Sequence, residues 1–439
     1  MPKNTLRRNI EHVGWSKLTY EIREIVAVGR ELEKLGLEII WENIGDPIQK
    51  GEEVPKWIKD ILAGLIAEDK TYGYTDTRGV MEAREFLAEL VNLRGGHQIT
   101  ADDILFFNGL GDAVAKIFTY LKREARVIGP SPAYSTHSSA EAAHSGYDHL
   151  TYNLDPDKNW MPDLEDLENK IKYNDSIAGM LLINPDNPTG AVYPKPFLEQ
   201  MIDIARRYRI FVLCDEIYAH IVFNGAETVH LSEVIGDEVP GIALRGISKE
   251  FPWPGARCGW LEIFNQDKHQ IFRHYIQSIT NAKMLEVCST SLPQYAIPLV
   301  MGDPRYIDHL ERRKKIFEKR ANEAYEIFSG VKGIQVVRAH GAFYNAILFE
   351  NNVLNNRQTL PISDPNVKAF IEEKVKDVQP DKRFVYYLLG ATGICVVPLT
   401  GFCCTRQGFR ITLLETDDEK RKKTWETITD SISNYLESA

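Results

Sequence analysis

The chain has 439 residues, of which 44% are hydrophobic and 26% are charged, and its formal net charge is −10 at pH 7. This composition is typical of a globular protein, and the length favours two packed domains because it exceeds the size to which a single core grows. Nucleic acids and anionic membranes bind basic surfaces, so the acidic balance argues against both as partners.

Targeting and metal-binding patterns are absent from the sequence. No apolar run approaches the roughly 18–20 residues that span a bilayer, and the N-terminal residues lack the apolar core of a signal peptide. We therefore expect a cytoplasmic protein. The six cysteines are too sparse for a disulfide framework and form no Cys-x-x-Cys pair, so we predict no metal site.

The N-terminal segment combines a predicted helix, a short strand and a turn. Apolar residues recur at helical spacing over residues 18–35, and Gly36 ends this helix. Residues 38–41 form a short strand that runs into a turn at residues 43–47. Gly45 in this turn allows close approach to the backbone, although a plain strand-ending turn explains the pattern equally well.

Two loops further along the chain carry weaker signals. Residues 72–79 include Tyr74 and precede a predicted helix over residues 80–91, and such a tyrosine usually packs or forms part of a turn. Residues 104–107 form an apolar strand, after which Leu110 and Gly111 open a helix. The free N–H groups and the positive dipole at such a helix start attract anions, so a phosphate would bind there.

Three more apolar strands end in residues that can bind a ligand. A strand over residues 125–129 leads to a prolyl loop with Tyr134, and a strand over residues 178–183 ends in a rigid loop that contains Asn187. A strand over residues 210–214 ends at Asp215, with Tyr218 three residues later. Open α/β sheets bind ligands at the carboxyl ends of their strands. Asp215 is either a charged loop start or a carboxylate aimed at a bound cation, and we favour the second.

A further strand, residues 242–244, leads to a reactive lysine. Ser248 and Lys249 follow it, and Arg257 lies eight positions after the lysine. A lysine amine can hold an aldehyde as an imine, and a guanidinium can clamp a phosphate. Pyridoxal phosphate (PLP) requires both groups. Taken alone, this stretch could also be a surface lysine near an ordinary turn.

The order of the elements predicts an α/β fold. Repeated strand, loop and helix units imply a large domain, residues 53–310, with a mainly parallel sheet flanked by helices. A long helix over residues 306–328 leaves this domain. Residues 1–52 and 311–439 would together form a smaller α/β domain, in which the polar stretch 351–382 is expected to be a solvated insertion.

Two motifs resemble those of a known family. The class I/II aminotransferases have motifs similar to two stretches of this chain. One is Ser248-Lys249 with Gly255-Ala256-Arg257-Cys258-Gly259, and the other is Asn184-Pro185-Asp186-Asn187-Pro188-Thr189-Gly190. These are PLP-dependent enzymes of fold type I. The resemblance covers about residues 18–413, with the cofactor motifs in family order, and it implies PLP as the cofactor.

The resemblance implies a role for each candidate residue. Lys249 would hold the cofactor as an aldimine and remove the substrate Cα proton, with Asp215 at the pyridine nitrogen and Tyr218 at the 3-oxygen as the other catalytic residues. The cofactor-binding set would be Tyr74, Leu110, Gly111, Tyr134, Asn187, Asp215, Tyr218, Ser248, Lys249 and Arg257. The substrate-binding set would be Gly45, Asn187 and Arg410, whose guanidinium clamps the α-carboxylate. Tyr74 would reach the cofactor phosphate of a second subunit, in a homodimer with shared active sites.

The implied activity is transfer of an amino group between an L-amino acid and a 2-oxo acid by a ping-pong mechanism. The same fold and lysine also serve PLP-dependent lyases and decarboxylases, so a lyase is the alternative. A non-catalytic ligand-binding protein is a third hypothesis, and the presence of both Lys249 and Arg410 argues against it.

Overall fold

The structure, a computed structural model, describes residues 11–18 and 21–438. In the first half of the chain the elements are α1 (Glu21–Lys34), β1 (Ile40–Trp41), α2 (Lys56–Ile66), α3 (Met81–Leu93), β2 (Ile104–Phe107), α4 (Leu110–Thr119), β3 (Arg126–Ser131), α5 (Ser135–Ser145), β4 (Thr151–Asp155), β5 (Met161–Pro162), α6 (Leu164–Lys172), β6 (Ile177–Ile183), α7 (Lys195–Tyr208) and β7 (Phe211–Asp215). In the second half they are α8 (Leu231–Val234), β8 (Gly241–Gly246), β9 (Gly259–Phe264), α9 (Gln270–Met284), α10 (Ser291–Met301), α11 (Arg305–Ser329), β10 (Ile334–Val336), β11 (Tyr344–Phe349), α12 (Pro365–Lys374), α13 (Pro380–Thr392), β12 (Ile394–Cys395), β13 (Val397–Pro398), β14 (Gly408–Thr412) and α14 (Asp418–Glu437).

The central layer is a sheet with the strand order β2-β9-β8-β7-β6-β3-β4-β5. The run from β8 to β4 is parallel throughout. β9 is antiparallel to both β8 and β2, so β2 points in the same direction as the parallel strands. The carboxyl ends of β2, β3, β6, β7 and β8 therefore lie at one edge of the sheet.

The middle strands are apolar along their length because helices cover both faces of the sheet. In β6, Met180 and Leu182 belong to one buried cluster with residues of α7. Leu181 and Ile183 belong to a second cluster with Ile276 of α9. Burial on both faces is typical of parallel strands, and the mainly parallel sheet predicted from the sequence is confirmed.

A second, smaller set of strands brings together distant parts of the chain. β10, β11, β14 and β13 form an antiparallel sheet, and β1 pairs in parallel with β12, with Ile40 opposite Ile394. This arrangement agrees with the predicted α/β fold class. The strands of the large sheet lie within residues 104–264 and those of the small sheet within residues 334–412; the division at residues 53 and 311 stays a prediction.

The polar stretch at residues 351–382 differs from the sequence expectation. Instead of a wholly solvated insertion, it contains α12, in which Val367 and Ile371 are buried. Their spacing of four residues places both on one helix face, which packs in the cluster of the small sheet. None of the described helices is both long enough and apolar enough to cross a membrane.

Glu42 connects three segments of this smaller region. It is 1% exposed, and its Oε1 accepts hydrogen bonds from Trp425 Nε1 and from the Thr412 backbone N–H, both at 3.3 Å. Lys50 Nζ lies 3.3 Å from its Oε2. Burial raises the pKa of the Glu42 carboxyl, and Lys50 opposes this effect. The buried Glu42 carboxylate therefore holds together the segments that carry Lys50, Thr412 and Trp425.

We expect Trp425→Ala to destabilise the protein strongly. The side chain is 0% exposed, and its removal leaves a cavity and takes a donor from Glu42, which should cost about 3–5 kcal/mol in the free energy of unfolding. Urea denaturation followed by fluorescence or circular dichroism measures this loss. Glu426→Ala, an exposed neighbour on α14, is the matched control and should change stability by no more than about 0.5 kcal/mol. Equal effects of the two substitutions would contradict this account of the core.

Candidate active site

Most of the predicted site residues line one cavity. It has a volume of about 730 Å³ and lies where the carboxyl ends of the central strands meet β1 and β14. Its lining includes Gly45, Leu110, Gly111, Tyr134, Asn187, Asp215, Tyr218, Ser248, Lys249, Arg257 and Arg410. Ligand cavities are typically about 300–1,000 Å³, so this volume suits a cofactor together with a small substrate.

Lys249 lies three residues beyond β8, in the interior of this cavity. Its Nζ donates a hydrogen bond to the Gly45 backbone carbonyl at 2.7 Å and lies 5.6 Å from the centre of the Phe343 ring. Burial lowers the pKa of Lys249, Asp46 opposes this effect, and Arg410 and other guanidiniums add to it, so that the pKa of the amine is about 8. A lysine with this pKa has a substantial neutral fraction near neutral pH, which both a nucleophile and a general base require.

Asp215 ends β7 with a buried carboxylate that is 4% exposed. Its Oδ2 lies 2.8 Å from His137 Nε2, and its Oδ1 accepts a hydrogen bond from the Ile217 backbone N–H at 3.1 Å. These contacts fix the orientation of the carboxylate. The sequence reasoning missed His137, although its position three residues after Tyr134, on the first turn of α5, was a usable signal.

The start of α4 forms a cradle for an anion. Gly109 caps the helix with a φ of 83°, and a Cβ at this position would lie 2.5 Å from Arg257 Nη2, so the guanidinium packs directly over the glycine. Leu110 and Gly111 begin the helix, where backbone N–H groups lack helical partners. The dipole end of the helix and the guanidinium together favour a bound phosphate.

Arg410 projects from β14 and is 2% exposed. Its Nη1 donates to Asn187 Oδ1 at 3.2 Å and its Nη2 to the Asn43 carbonyl at 2.6 Å. The guanidinium also lies 4.3 Å from the centre of the Tyr344 ring. Its Nε and both polar side-chain atoms of Asn43 are buried without a hydrogen-bond partner among the described residues. Sequence reasoning did not identify Asn43, because nothing in the turn pattern indicates its contact with β14.

Two tyrosines and a glycine complete the wall around Lys249. The Tyr218 hydroxyl donates to the Tyr344 hydroxyl at 3.2 Å, and burial raises the pKa of Tyr218, so it remains a phenol that can donate a hydrogen bond. Gly45 packs so closely that a Cβ there would lie 2.0 Å from the Tyr344 hydroxyl oxygen. Tyr134 packs edge-on to His137, with ring centres 6.2 Å apart.

Tyr74 does not line the cavity of its own chain. Its side chain is 85% exposed, and neighbouring Tyr72 is 72% exposed. Thr77 Oγ1 donates to the Val287 carbonyl at 2.9 Å, which brings this loop beside a second exposed apolar segment where Leu285 is 86% exposed. A role for Tyr74 in another subunit's site stays a prediction.

Known proteins resemble this chain along most of its length. An uncharacterized aminotransferase of Methanocaldococcus jannaschii is 55% identical over 433 residues, which are 99% of this chain and 100% of that protein. The glutamate-pyruvate aminotransferase AlaA of Escherichia coli is 30% identical over 329 residues, covering 74% of this chain and 79% of that protein. The alanine aminotransferase of Mycobacterium tuberculosis is 30% identical over 387 residues, covering 87% of this chain and 83% of that protein.

Solved structures have the same fold. The alanine aminotransferase of Pyrococcus furiosus gives a TM-score of 0.81 at 26% identity, over 97% of this chain and 100% of that chain. An Escherichia coli aminotransferase gives a TM-score of 0.81 at 24% identity, over 99% of both chains. The fold class predicted from the sequence is therefore confirmed.

The sequence model described as "Aminotransferase class I and II" matches residues 39–428. Enzymes of this family depend in general on PLP and act on amino acids and 2-oxo acids. The family and the transaminase activity expected from the motifs around Asn187 and Lys249 are confirmed by this match and by the names of the relatives. This chain thus belongs to the class I and II aminotransferases and is an enzyme that acts as a transaminase.

Proposed function

We propose that this chain binds PLP through Lys249 and uses it to exchange amino groups between an L-amino acid and a 2-oxo acid. The observation that carries the proposal is the half-buried Lys249 amine, with its pKa lowered to about 8, in one cavity with Asp215, Arg257 and Arg410. Each of these side chains matches one charged or reactive group of the cofactor or substrate.

The residues present fit PLP group by group. The Lys249 amine matches the aldehyde, and the oriented Asp215 carboxylate matches a protonated pyridine nitrogen. The cradle at Gly109, with Leu110, Gly111, Ser248 and Arg257 around it, matches the phosphate. Tyr134 can lie against the ring face, and Asn187 and Tyr218 can donate to the 3-oxygen.

Bound PLP would supply an electron sink for the electrons released at the substrate Cα. Lys249 would hold the cofactor and, once its amine is free, would take the proton from Cα and give it to the cofactor carbon that carried the aldehyde, so that hydrolysis leaves a 2-oxo acid. Asp215 would keep the proton at the pyridine nitrogen, and the contact with His137 keeps its carboxylate in place. The Tyr218 hydroxyl donates a hydrogen bond and does not ionise, because burial raises its pKa.

Arg410 orients the substrate by its α-carboxylate. Asn187 and the Asn43 carbonyl fix the guanidinium, and its buried Nε has no partner among the described residues and can donate to an anion. Gly45 lines the same cavity and is proposed as a second substrate contact; a side chain there would collide with Tyr344. As substrates we propose alanine and glutamate with their 2-oxo acids, because two relatives are a glutamate-pyruvate aminotransferase and an alanine aminotransferase.

We also propose a cytoplasmic homodimer, with the large domain at residues 53–310 and the small domain at residues 1–52 and 311–439. Support for the dimer comes from the exposed apolar surface formed by Tyr72, Tyr74 and Leu285. Adjoining exposed apolar groups of this kind mark interaction surfaces, and a two-fold interface is the commonest geometry of homo-oligomers.

Half-reactions test the function directly. The purified enzyme loaded with PLP is mixed with single amino acids, and the loss of the cofactor's long-wavelength absorption is followed, with the 2-oxo acid product identified by mass spectrometry. Recovery of the absorption on addition of a second 2-oxo acid supports transamination. A product that has lost its side chain or its carboxylate would instead indicate a lyase or decarboxylase.

Lys249→Ala should be folded and inactive. The substitution removes both the covalent attachment and the proton acceptor, so the half-reaction with alanine should slow by at least about 10²- to 10⁴-fold. Circular dichroism checks the fold. Lys34→Ala, on the exposed end of α1, is the control and should react as the wild type does. A Lys249→Ala enzyme with near wild-type rates would remove the lysine from the mechanism.

Arg410→Leu should raise KM for every amino acid and 2-oxo acid by a similar factor, because the lost contact is to the carboxylate that they share. Loss of charged hydrogen bonds predicts an increase of about 10- to 100-fold. Steady-state kinetics with several substrates measure it, and Arg338→Leu, an exposed arginine of the loop after β10, is the control. An effect confined to one substrate would assign Arg410 to side-chain recognition instead.

Mixing two inactive variants tests whether Tyr74 acts across the dimer. If sites are shared, a heterodimer of Tyr74→Ala and Lys249→Ala chains contains one site with both defects and one site with neither, so activity should return to a substantial fraction of wild type. Subunit exchange is verified by native mass spectrometry, and each parent must be nearly inactive alone. No recovery in a proven heterodimer would place Tyr74 outside the other subunit's site.

A further inference from the structure

Two buried carboxylates lie directly after the proposed catalytic residues in the chain. Glu216 follows Asp215 at the end of β7, and Glu250 follows Lys249. Both glutamate side chains are 1% exposed. Asp215 and Lys249 line the active-site cavity, whereas the carboxylates of Glu216 and Glu250 both contact Arg245 of β8. The proposed mechanism gives these three charged residues no role.

Arg245 bridges the two carboxylates. Its Nη1 donates to Glu216 Oε2 at 3.2 Å, and its Nη2 donates to Glu250 Oε1 at 3.3 Å. The guanidinium is planar and rigid, so its two nitrogens hold the carboxylates at a defined separation. Arg245 is itself 2% exposed and belongs to β8, which lies between β7 and β9 in the sheet. The bridge therefore connects the segment that follows β7 to the segment that follows β8.

Other groups hold each carboxylate from a second side. Glu216 Oε1 accepts a hydrogen bond from the Leu231 backbone N–H at 2.6 Å, and its Oε2 lies 2.7 Å from His230 Nδ1. Glu250 Oε2 accepts a hydrogen bond from the Tyr306 hydroxyl at 2.8 Å. Each of the four carboxylate oxygens thus has a partner, and neither side chain can turn without breaking a contact.

Both carboxyls are ionised at neutral pH. Burial raises the pKa of the Glu216 carboxyl, but His230 and Arg245 outweigh this effect and lower it to about 2. The pKa of the Glu250 carboxyl is also lowered, because His220 and Arg245 outweigh burial. Buried ion pairs gain little stability over well-packed apolar side chains, since the loss of hydration offsets the attraction between the charges. Stability alone therefore does not account for the bridge, whereas its defined geometry does.

We propose that Arg245 is a positioning residue for the transaminase reaction, because the two carboxylates that it bridges are the chain neighbours of Asp215 and Lys249. The inference rests on the roles proposed above for those two residues. Asp215 would hold one end of the cofactor ring, and the Lys249 amine must reach atoms at the other end. By fixing the separation of the two segments, the bridge keeps the amine within reach of the proton that it moves.

Arg245→Lys tests this proposal in the enzyme loaded with PLP. Lysine keeps the positive charge but has a single nitrogen, so it cannot reproduce the two-ended bridge. The steady-state kcat with alanine and a 2-oxo acid should fall about 10- to 100-fold, the cost of a small displacement of a catalytic group. KM should change by less than about three-fold, because the contacts of Arg410 are not altered.

The pKa of Lys249 in the cofactor-free enzyme provides a readout other than turnover. It is obtained from the pH dependence of Lys249 labelling by acetic anhydride, followed by mass spectrometry of the peptide. In the wild type this pKa is about 8, chiefly because of burial. An amine released from its position in Arg245→Lys gains water and should titrate at about 9 or higher.

Arg94→Lys is the matched control. Arg94 and Arg245 line the same second cavity, which has a volume of about 610 Å³ and lies beside α3 and α11. Arg94 Nη1 lies 3.6 Å from Glu262 Oε2, a buried carboxylate on β9 that is not next to a catalytic residue. This variant should lose a similar amount of thermal stability but keep the wild-type kcat and the wild-type pKa of Lys249.

Glu250→Gln replaces Arg245→Lys if circular dichroism shows that the lysine variant does not fold. The amide breaks one end of the bridge by removing its charge, and its oxygen can still accept the hydrogen bond from Tyr306. The same fall in kcat, with KM unchanged, is expected. Wild-type kcat in a folded Glu250→Gln enzyme would overturn the proposal.

Equal effects of Arg245→Lys and Arg94→Lys on kcat and on the pKa of Lys249 would also overturn it, since the bridge would then act on stability alone. Failure of the proposed function is distinguishable from failure of this inference. If the wild type reacts with no amino acid but the pKa of Lys249 rises in Arg245→Lys and not in the control, the proposed function fails and the positioning role remains. If the wild type reacts and Arg245→Lys behaves as the control does, the positioning role alone fails.

Discussion

The half-buried amine of Lys249 imposes the main constraint on this site. Burial, together with the guanidiniums of Arg410, Arg257 and Arg313, lowers its pKa to about 8. Bringing these cations together is unfavourable in the protein alone and becomes favourable when anions bind, because a phosphate and a carboxylate each neutralise a guanidinium. In the function proposed above, the same arrangement that keeps the lysine partly neutral would also provide the affinity for cofactor and substrate.

The two sheets supply different parts of this arrangement. Asp215 and Lys249 follow neighbouring parallel strands, so the large sheet sets their separation, and His137 holds the carboxylate in place. Arg410 comes from the small sheet and is tied to the large one through Asn187. Gly45, in the turn after β1, accepts the hydrogen bond from Lys249. Substrate binding therefore depends on how the small sheet packs against the large one.

The site residues that can be predicted from the sequence are those that lie at or just after the ends of strands. Asn187, Asp215 and Lys249 each come after an apolar run, so a parallel sheet must bring them to one edge, and the family motifs add Arg410. Asn43 reaches Arg410 only through the packing of the turn after β1 against β14, which no local pattern encodes. His137 was missed although its spacing from Tyr134 on α5 could have identified it. The helix α12 was not predicted because residues 351–382 are mostly polar, and only two of its apolar residues, Val367 and Ile371, are buried.

Covalent mapping of the lysine tests the central claim most directly. The enzyme loaded with PLP is reduced with borohydride, digested and analysed by tandem mass spectrometry, which locates the stable pyridoxyl group. The account predicts a single modified lysine, Lys249, and no modification there when PLP is omitted. A pyridoxyl group on any other lysine, with Lys249 unmodified, would contradict it.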